Sequence, residues 1–359
     1  MAIFNRSKTR PDILKIIDRN NETQIEAAIN FLGLEENIGH DLQEYMRKIE
    51  EANNEYFDIL MSGTRSIKEL DKILSFEEMV FVARLSRYIS EYMADLNMKK
   101  YPIPEGIKIE KIEFDGFDGE MQILPDVPED RILLYFHGGG QVLGSSKMHR
   151  LLTIEIGKAA NLKVLSINYR LAPENPFPSG LEDCFSSYKW LLEKGFLPEN
   201  IVIGGDSSGG NQTLATLLKI RDQGLPMPAG AFALSPAIDY TLESKTKYSN
   251  RETDMLSDRG VFWWDLAYLG NSDPYNPYIS PVYGDLKGIP RLLLQVSTSE
   301  MLYDHSTRFV ERARAAGVEA VLQEWDDMMH VWQGYGLHDL PEARESIDKI
   351  GEFVRNLFS

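Results

Sequence analysis

The first hundred residues carry apolar positions at the spacing of an α-helix. Apolar side chains recur every three or four residues in two stretches, at Leu42, Tyr45, Met46 and Ile49 and at Val82, Leu85, Ile89 and Tyr92. Asp41 stands where a helix cap would, and Ser75 with Glu78 has the spacing of a capping box. The pattern predicts a helical region over residues 1–100, whose apolar stripes must pack against another part of the molecule.

The pattern changes after residues 101–104, Tyr-Pro-Ile-Pro, which read as an extended linker. A strand begins at Ile107, a turn follows over residues 116–119, and residues 121–124 form a second strand. Because the connecting turn is short and contains glycine, the two strands are predicted to pair as an antiparallel hairpin.

Strands and helices alternate through the rest of the chain. The further predicted strands are residues 131–136, 163–168, 201–203, 229–235, 291–296 and 320–325. The predicted helices are residues 147–160, 181–192, 211–222, 305–316 and 342–357. Such alternation predicts an α/β fold, with a mostly parallel sheet covered by helices on both faces. With the hairpin, the sheet has eight strands.

Residues 239–290 interrupt this alternation. They contain an aromatic cluster, Phe262, Trp263, Trp264 and Tyr268, followed by a proline-rich loop. About fifty residues between consecutive strands is more than a crossover needs. One interpretation is a helix packed on the sheet in the usual way. The other is an insertion that covers the carboxyl ends of the strands, where open α/β sheets bind ligands.

Composition narrows the class of protein. The net charge of −17 argues against partners such as nucleic acid or anionic membranes, which need basic patches. Cys184 is the only cysteine, so an intrachain disulfide or a thiolate metal cluster cannot form. No apolar run approaches the length of a membrane span, and residues 1–10 lack the apolar core of a signal peptide. We therefore expect a cytoplasmic protein without stable membrane insertion.

Residues 205–209, Gly-Asp-Ser-Ser-Gly, join a β-branched run to a helical stretch with almost no loop. They fit the G-x-S-x-G nucleophile elbow, in which glycines allow the strained turn that exposes the central serine, here Ser207. The alternative is a glycine-rich turn with no catalytic role. The position between strand and helix favours Ser207 as a nucleophile.

Two further stretches offer the remaining groups that a serine nucleophile needs. Residues 137–140, His-Gly-Gly-Gly, directly follow a predicted strand, and their backbone N–H groups can turn towards an oxyanion. We interpret His137 as a structural residue of this loop. Of the six histidines, His330 follows the predicted strand 320–325 and so lies at the carboxyl edge of the sheet, beside Ser207. It is the predicted general base.

From about Pro102 to the C-terminus the chain resembles the hormone-sensitive-lipase-like family of α/β-hydrolase esterases. The stretches that carry the resemblance are His-Gly-Gly-Gly at 137–140, Tyr-Arg-Leu-Ala-Pro-Glu at 169–174, Gly-Asp-Ser-Ser-Gly-Gly at 205–210 and Asp-Asp-Met-Met-His at 326–330. The resemblance implies an α/β-hydrolase catalytic domain over residues 101–359, with a cap insertion at about 239–290. Residues 1–100 exceed the family's usual cap segment, and we expect them to act as a cap.

The resemblance also implies roles for single residues. It makes Ser207 the nucleophile, His330 the base, and the N–H groups of Gly138, Gly139 and Ser208 the oxyanion hole. The acid of the triad falls on Glu300, where many family members have aspartate. The alternative acid is Asp304, for which we expect the ordinary role of capping the helix that begins near residue 305.

The predicted function is a serine carboxylesterase that acts through an acyl-enzyme on a small-molecule ester, without metal or organic cofactor. The family resemblance suggests short to medium acyl chains. Two alternatives stay open. One is an amidase or formamidase with the same machinery, and the other is a non-catalytic ligand receptor on the same fold. Homo-oligomerisation is also left open.

Overall fold

We describe the protein from a computed structural model, over residues 5–34, 37, 41–62, 74–258 and 261–359. The strands in these ranges are β1 Lys108–Glu113, β2 Asp118–Ile123, β3 Ile132–Phe136, β4 Lys163–Asn168, β5 Ile201–Asp206, β6 Gly230–Leu234, β7 Arg291–Ser297 and β8 Ala320–Trp325. The α-helices in these ranges are α1 Pro11–Leu32, α2 Leu42–Ser62, α3 Phe76–Lys100, α4 Ser146–Ala160, α5 Ser179–Glu193, α6 Ser208–Asp222, α7 Thr246–Ser249, α8 Val261–Leu269, α9 Tyr303–Ala315, α10 Trp332–Tyr335 and α11 Pro341–Asn356.

The described strands form one sheet in the order β1-β2-β4-β3-β5-β6-β7-β8. The hairpin β1–β2 is antiparallel, β2 pairs antiparallel with β4, and the pairs from β4 to β8 are parallel. The predicted fold class, a mostly parallel eight-stranded α/β sheet with a helical N-terminal region, is therefore confirmed.

Both faces of the sheet are covered. Along β3 the buried side chains alternate between the two main apolar clusters, so that Leu134 and Phe136 face α5, α6 and α9, while Leu133 and Tyr135 face α4 and α11. A strand covered on both faces needs apolar side chains at every position, which explains the unbroken run Ile-Leu-Leu-Tyr-Phe of β3.

The strand order decides which loops meet at the carboxyl edge of the sheet. In the parallel pair β3–β5, Phe136 lies opposite Gly205, so the His-Gly-Gly-Gly loop leaves the sheet beside the serine turn. In the pair β7–β8, Ser297 lies opposite Trp325. The loops that carry Glu300 and His330 therefore also leave the sheet side by side.

The N-terminal helices lie over this edge. The two predicted caps are confirmed, because Asp41 accepts the N–H of Gln43 at 3.0 Å and Ser75 forms a full capping box with Glu78. One predicted stripe is partly wrong, since Met46 is 52% exposed. Ile13, with other apolar residues of α1, packs on the residues just before His330.

The insertion at 239–290 supplies α7 and α8. Phe262, Trp263 and Tyr268 are buried in a cluster that also contains residues of α2 and α3, and α8 packs against α2. The aromatic residues therefore join the N-terminal helices to the carboxyl edge of the sheet. In the described ranges, no helix combines the length and the apolar character that crossing a bilayer requires.

Candidate active site

Ser207 lies in the turn between β5 and α6. Its backbone adopts φ 52° and ψ −119°, a conformation that residues other than glycine rarely adopt. The turn is tight because the neighbouring loop runs directly against it. A Cβ on Gly209 would lie 2.0 Å from the carbonyl oxygen of Phe136, and one on Gly205 would lie 2.4 Å from the carbonyl oxygen of Gly209. Glycine is therefore required at both positions for steric reasons.

A chain of hydrogen bonds runs from Ser207 through His330 to Glu300. The Nε2 atom of His330 lies 2.9 Å from the Ser207 Oγ, and its Nδ1 atom lies 2.6 Å from Glu300 Oε2. His330 follows β8 and is buried, whereas the hydroxyl-bearing Ser207 is partly exposed. The structure thus brings together the three residues that the sequence placed in the triad.

The other carboxylate oxygen of Glu300 is also fixed. Oε1 accepts hydrogen bonds from the Ser235 hydroxyl and from the Ser297 N–H, both at 2.8 Å. With both oxygens occupied and the side chain 1% exposed, the carboxylate cannot rotate freely. Glu300 therefore holds the imidazole of His330 in one orientation.

Asp304 has a different place from the one we predicted. It does not cap the helix that begins next to it, because α9 has no side-chain cap. Asp304 instead accepts the Lys245 N–H at 2.7 Å and the Thr246 hydroxyl at 2.9 Å, at the start of α7. Asp304 lies in the first turn of α9, and its short side chain points towards the insertion. It therefore caps α7 and takes no part in the hydrogen bonds that join Ser207 to His330.

The surroundings of His330 raise the pKa of its imidazole. Burial alone would lower the pKa of this imidazole, but the hydrogen bond and negative charge of Glu300 outweigh burial and raise the pKa above its ordinary value. A serine–imidazole–carboxylate chain of this geometry can move the hydroxyl proton to the imidazole while the oxygen attacks a carbonyl carbon.

One of the oxyanion donors predicted in the His-Gly-Gly-Gly loop has to be corrected. The Gly138 N–H donates to Asp206 Oδ1 at 3.1 Å, so it is occupied and the role predicted for Gly138 is wrong. Among the described residues, the N–H groups of Gly139 and Gly140 have no acceptor. Ser208 is the first residue of α6, where backbone N–H groups lack a partner within the helix.

Asp206 is a functional candidate that the sequence did not single out. It is buried behind Ser207, where it accepts the Tyr135 hydroxyl at 2.8 Å as well as the Gly138 N–H, and its Oδ2 lies 3.3 Å from His149 Nε2. Burial lowers the pKa of His149, and the charge of Asp206 raises it again, above the ordinary value. The aspartate thus ties the glycine loop to the serine turn.

His137 has the structural place that the sequence analysis gave it. Its ring stacks on Tyr169 with centroids 4.3 Å apart, its Nδ1 lies 2.8 Å from the Gly138 carbonyl oxygen, and burial lowers its pKa to about 3. A neutral, stacked imidazole keeps the glycine loop in shape.

Known protein families include one whose sequence pattern this chain matches. The sequence model of the family described as "alpha/beta hydrolase fold" matches residues 133–334, which is more than half of the chain. The chain belongs to the α/β-hydrolase family.

Relatives of this hydrolase narrow the family further. An "Acetyl-hydrolase" of Streptomyces hygroscopicus is 39% identical over 239 residues, 65% of this chain and 78% of the relative. An "Esterase" of Acinetobacter venetianus is 32% identical over 72% of this chain and 85% of its own length. A solved esterase "from the bacterial hormone-sensitive lipase (HSL) family" superposes with a TM-score of 0.71 at 35% identity, covering 89% of this chain and all of that one. These matches confirm the predicted hormone-sensitive-lipase-like family and the predicted class of carboxylic-ester hydrolase.

The hydrolase has a cavity of about 410 Å³ above Ser207. Its walls come from the glycine loop and His330 on one side and from α1, α2 and α3 on the other, with Trp263 and Trp264 of α8 between them. A volume of this size suits a small organic molecule. Among the described residues, no group of three or more His, Cys, Asp or Glu side chains is placed to hold a metal ion. The absence of a cofactor stays a prediction.

A second buried carboxylate of the hydrolase also escaped the sequence analysis. Asp254, in the insertion, accepts the Met301 N–H at 2.7 Å and the Leu256 N–H at 2.9 Å. Met301 directly follows Glu300, and the amide of Asn250 donates to the carbonyl oxygen of Glu300 at 2.9 Å. The insertion therefore holds the Glu300 loop by its backbone. No sequence motif marks Asp254, so only the fold reveals it.

Proposed function

We propose that this hydrolase is a serine carboxylesterase with Ser207 as nucleophile, His330 as general base and Glu300 as the acid that orients it. The observation that carries the proposal is the chain of hydrogen bonds from Ser207 Oγ through His330 to Glu300. It lies at the floor of a cavity that is large enough for a small organic molecule. Asp304 is set aside as the acid because its carboxylate is engaged with α7.

In the proposed mechanism, Ser207 Oγ attacks the ester carbonyl carbon while its proton passes to Nε2 of His330. The tetrahedral intermediate collapses as the imidazolium returns this proton to the leaving alcohol, which leaves the acyl group on Ser207. Water then attacks the acyl-enzyme with His330 as base, and the carboxylic acid is released. Glu300 stabilises the imidazolium in both halves of the reaction.

The oxyanion of this reaction needs N–H donors near Ser207. We assign them to Gly139, Gly140 and Ser208, in place of the set that includes Gly138. The assignment rests on the lack of acceptors for the first two among the described residues and on the helix start at Ser208. Loss of one such donor typically costs about 3–4 kcal/mol of transition-state stabilisation.

The helices over the cavity are proposed to act as a cap. Residues 1–100, as a helical region, and the insertion at 239–290 would together exclude water and shape the substrate pocket of a catalytic domain formed by 101–359. The positions of Ile49, Leu85 and Trp264 in the cavity wall support this role. Short to medium acyl chains and a cytoplasmic location are also proposed. Homo-oligomerisation is left open.

The matched hydrolysis of p-nitrophenyl butyrate and butyryl p-nitroanilide tests the proposal. We expect the ester to be cleaved with a much larger kcat/KM than the anilide, and Ser207→Ala to lose the activity. Preferential cleavage of the anilide would make the protein an amidase. Absence of both reactions, with ligand binding retained in the cavity, would make it a receptor.

A further inference from the structure

A second, smaller cavity borders Ser207 and carries polar side chains that the proposed mechanism does not use. Ser207 and Gly140 line it, and so do Trp264 of α8 and His305 of α9. The first two belong to the serine turn and the glycine loop. The histidine and the indole have no part in the mechanism, so their place beside the nucleophile needs another explanation.

The contacts of His305 decide where its ring carries a proton. Its Nδ1 accepts the backbone N–H of Ile238 at 3.2 Å, so Nδ1 itself is not protonated. Burial lowers the pKa of this imidazole to about 4, which leaves the ring neutral near pH 7. A neutral imidazole holds one proton, and here that proton must be on Nε2. His305 therefore offers its Nε2–H as a hydrogen-bond donor.

This Nε2–H has no acceptor among the described residues, although His305 is only 1% exposed. The indole N–H of Trp264 is likewise buried without an acceptor in that part of the chain. A buried donor without a partner is unfavourable, and such groups are uncommon in folded proteins. Two of them in the wall of one cavity beside the nucleophile indicate a site for a hydrogen-bond acceptor.

The charges around this cavity are balanced. Lys247 and Asp265 in its wall form an ion pair of 3.0 Å, and Asp239, also in the wall, is paired with Arg308 at 2.6 Å. The two positive and two negative charges cancel, so an ionic ligand would find no surplus charge among these four residues to compensate its own. The geometry therefore favours an uncharged acceptor, such as an ether, keto or hydroxyl oxygen.

We propose that the smaller cavity is a recognition site for an uncharged oxygen of the substrate, which accepts hydrogen bonds from His305 Nε2–H and Trp264 Nε1–H. The inference rests on the proposed esterase function, because the cavity shares Ser207 with the catalytic site. The substrate class is then an ester that carries a second oxygen function within a few bonds of the scissile carbonyl. His305 and Trp264 are specificity-determining residues, and they take no part in proton transfer.

Esters in which an oxygen replaces one methylene test the site. p-Nitrophenyl methoxyacetate and p-nitrophenyl butyrate form the first pair. The 3-methoxypropionate and pentanoate of p-nitrophenol form the second and move the oxygen one bond further along the acid. 2-Methoxyethyl butyrate and butyl butyrate carry the same exchange on the alcohol, so the test does not presuppose which part of the ester enters the cavity.

Each ratio of kcat/KM is divided by the ratio of the rates of hydrolysis by hydroxide, which removes the difference in intrinsic reactivity. In at least one pair we expect the corrected ratio to favour the oxygen-bearing ester by about tenfold or more, since a methylene in its place leaves a buried donor unpaired. Corrected ratios near one in all three pairs would overturn the inference.

Two substitutions of His305 assign the preference to its Nε2–H. His305→Asn keeps an oxygen that can accept the Ile238 N–H but does not reach as far as Nε2, so the corrected ratio should fall by about tenfold. His305→Gln is the matched control, because its longer side chain can bring an amide N–H to the place of Nε2, and the ratio should largely remain. A ratio that is unchanged in folded His305→Asn would contradict the role of His305.

Trp264→Phe provides a second variant, which keeps the test open if His305→Asn does not fold. The phenyl ring can retain the contact with Gly140, over which the six-membered ring of the indole lies, but it lacks the N–H. The corrected ratio should fall in this variant as well. A ratio that stays at the parent value would contradict the role of Trp264.

The outcomes also separate this inference from the proposed function. If the protein cleaves these esters through Ser207 without preferring an oxygen-bearing member, the recognition site is wrong and the esterase function stands. If no ester is cleaved, the esterase function itself fails, and the inference falls with it.

Discussion

The serine turn and the loops that carry Glu300 and His330 reach the same point by different means. Ser207 is held by sterics within the sheet, because Gly205 and Gly209 lie directly against the end of β3 and against each other. The other two residues are held by distant segments. Asp254 and Asn250 fix the Glu300 loop, and α1 packs on Met328 and Met329 before His330. Changes far from the site should therefore disturb His330 and Glu300 but spare Ser207.

The largest effect is expected at the serine itself. Ser207→Ala should lower kcat by roughly 10⁴-fold or more, while the turn persists because its glycines and backbone bonds do not involve the hydroxyl. Covalent labelling by an organophosphate should disappear in the same variant, and the melting temperature should be unchanged. Continued labelling at the original rate would remove Ser207 from the mechanism.

The acid should come next. Glu300→Gln should lower kcat by up to about 10⁴-fold, because the amide favours the wrong imidazole tautomer. Glu300 raises the pKa of His330, and the base works only when neutral, so activity is lost as pH falls through that pKa. The acid limb of the kcat/KM profile should therefore move to lower pH in the variant.

Asp304→Asn is the matched control for this change, since it removes the neighbouring carboxylate and leaves the His330 contact intact. It should cost about 1 kcal/mol of stability through the start of α7 and leave the acid limb in place. A dead but folded Asp304→Asn beside an active Glu300→Gln would reverse the assignment.

Asp254 tests whether the insertion positions the acid. Asp254→Asn leaves one of two backbone N–H groups without its acceptor, and the resulting shift of the Glu300 loop should lower kcat by about 10- to 100-fold with little change in KM. The charge of Asp254 also raises the pKa of His330, so the acid limb should move slightly to lower pH. An unchanged kcat and profile would limit Asp254 to holding the fold.

The same variant has a distinct dependence of stability on pH. Burial raises the pKa of Asp254 to about 6 in the folded protein, well above the ordinary value of an aspartate. The folded state therefore binds this proton more tightly, and ionisation destabilises the fold as pH rises from about 4 to 6. The change of melting temperature from pH 4 to pH 6 should therefore be less favourable in the parent protein than in Asp254→Asn.

The smallest effect on activity is expected on α1. Ile13 is buried against the residues before His330, so Ile13→Ala should cost about 2–5 kcal/mol of stability and lower kcat a few-fold. Ile25, on the same helix, is 62% exposed, and Ile25→Ala should change neither quantity. Equal losses in both variants would show that the effect comes from the helix as a whole.

The sequence predicted those parts of the molecule whose cause lies close in the chain. The elbow around Ser207 and the capping box at Ser75 are local, and the alternation of strands and helices decides the sheet. His330 and Glu300 could be predicted from the sequence because the carboxyl ends of parallel strands share one edge of the sheet.

The failures concern groups whose partners come from elsewhere in the fold. Whether the Gly138 N–H is free depends on the position of the Asp206 carboxylate, which Tyr135 and His149 fix from β3 and α4. The role of Asp304 depends on residues about sixty positions earlier. Motif spacing contains no information on such contacts, and for the same reason Asp254 was missed.

The docking of α1 has a consequence for how the chain is made. Ile13 precedes Met328 by 315 residues, so the helix is synthesised long before the surface on which it packs. At about 5–20 residues per second, a ribosome needs roughly 15–60 s to deliver that surface. Until then Ile13, Ile16 and Ile17 lack most of the residues among which they are buried and expose an apolar face. The segment that completes the histidine loop is thus itself exposed to aggregation during translation.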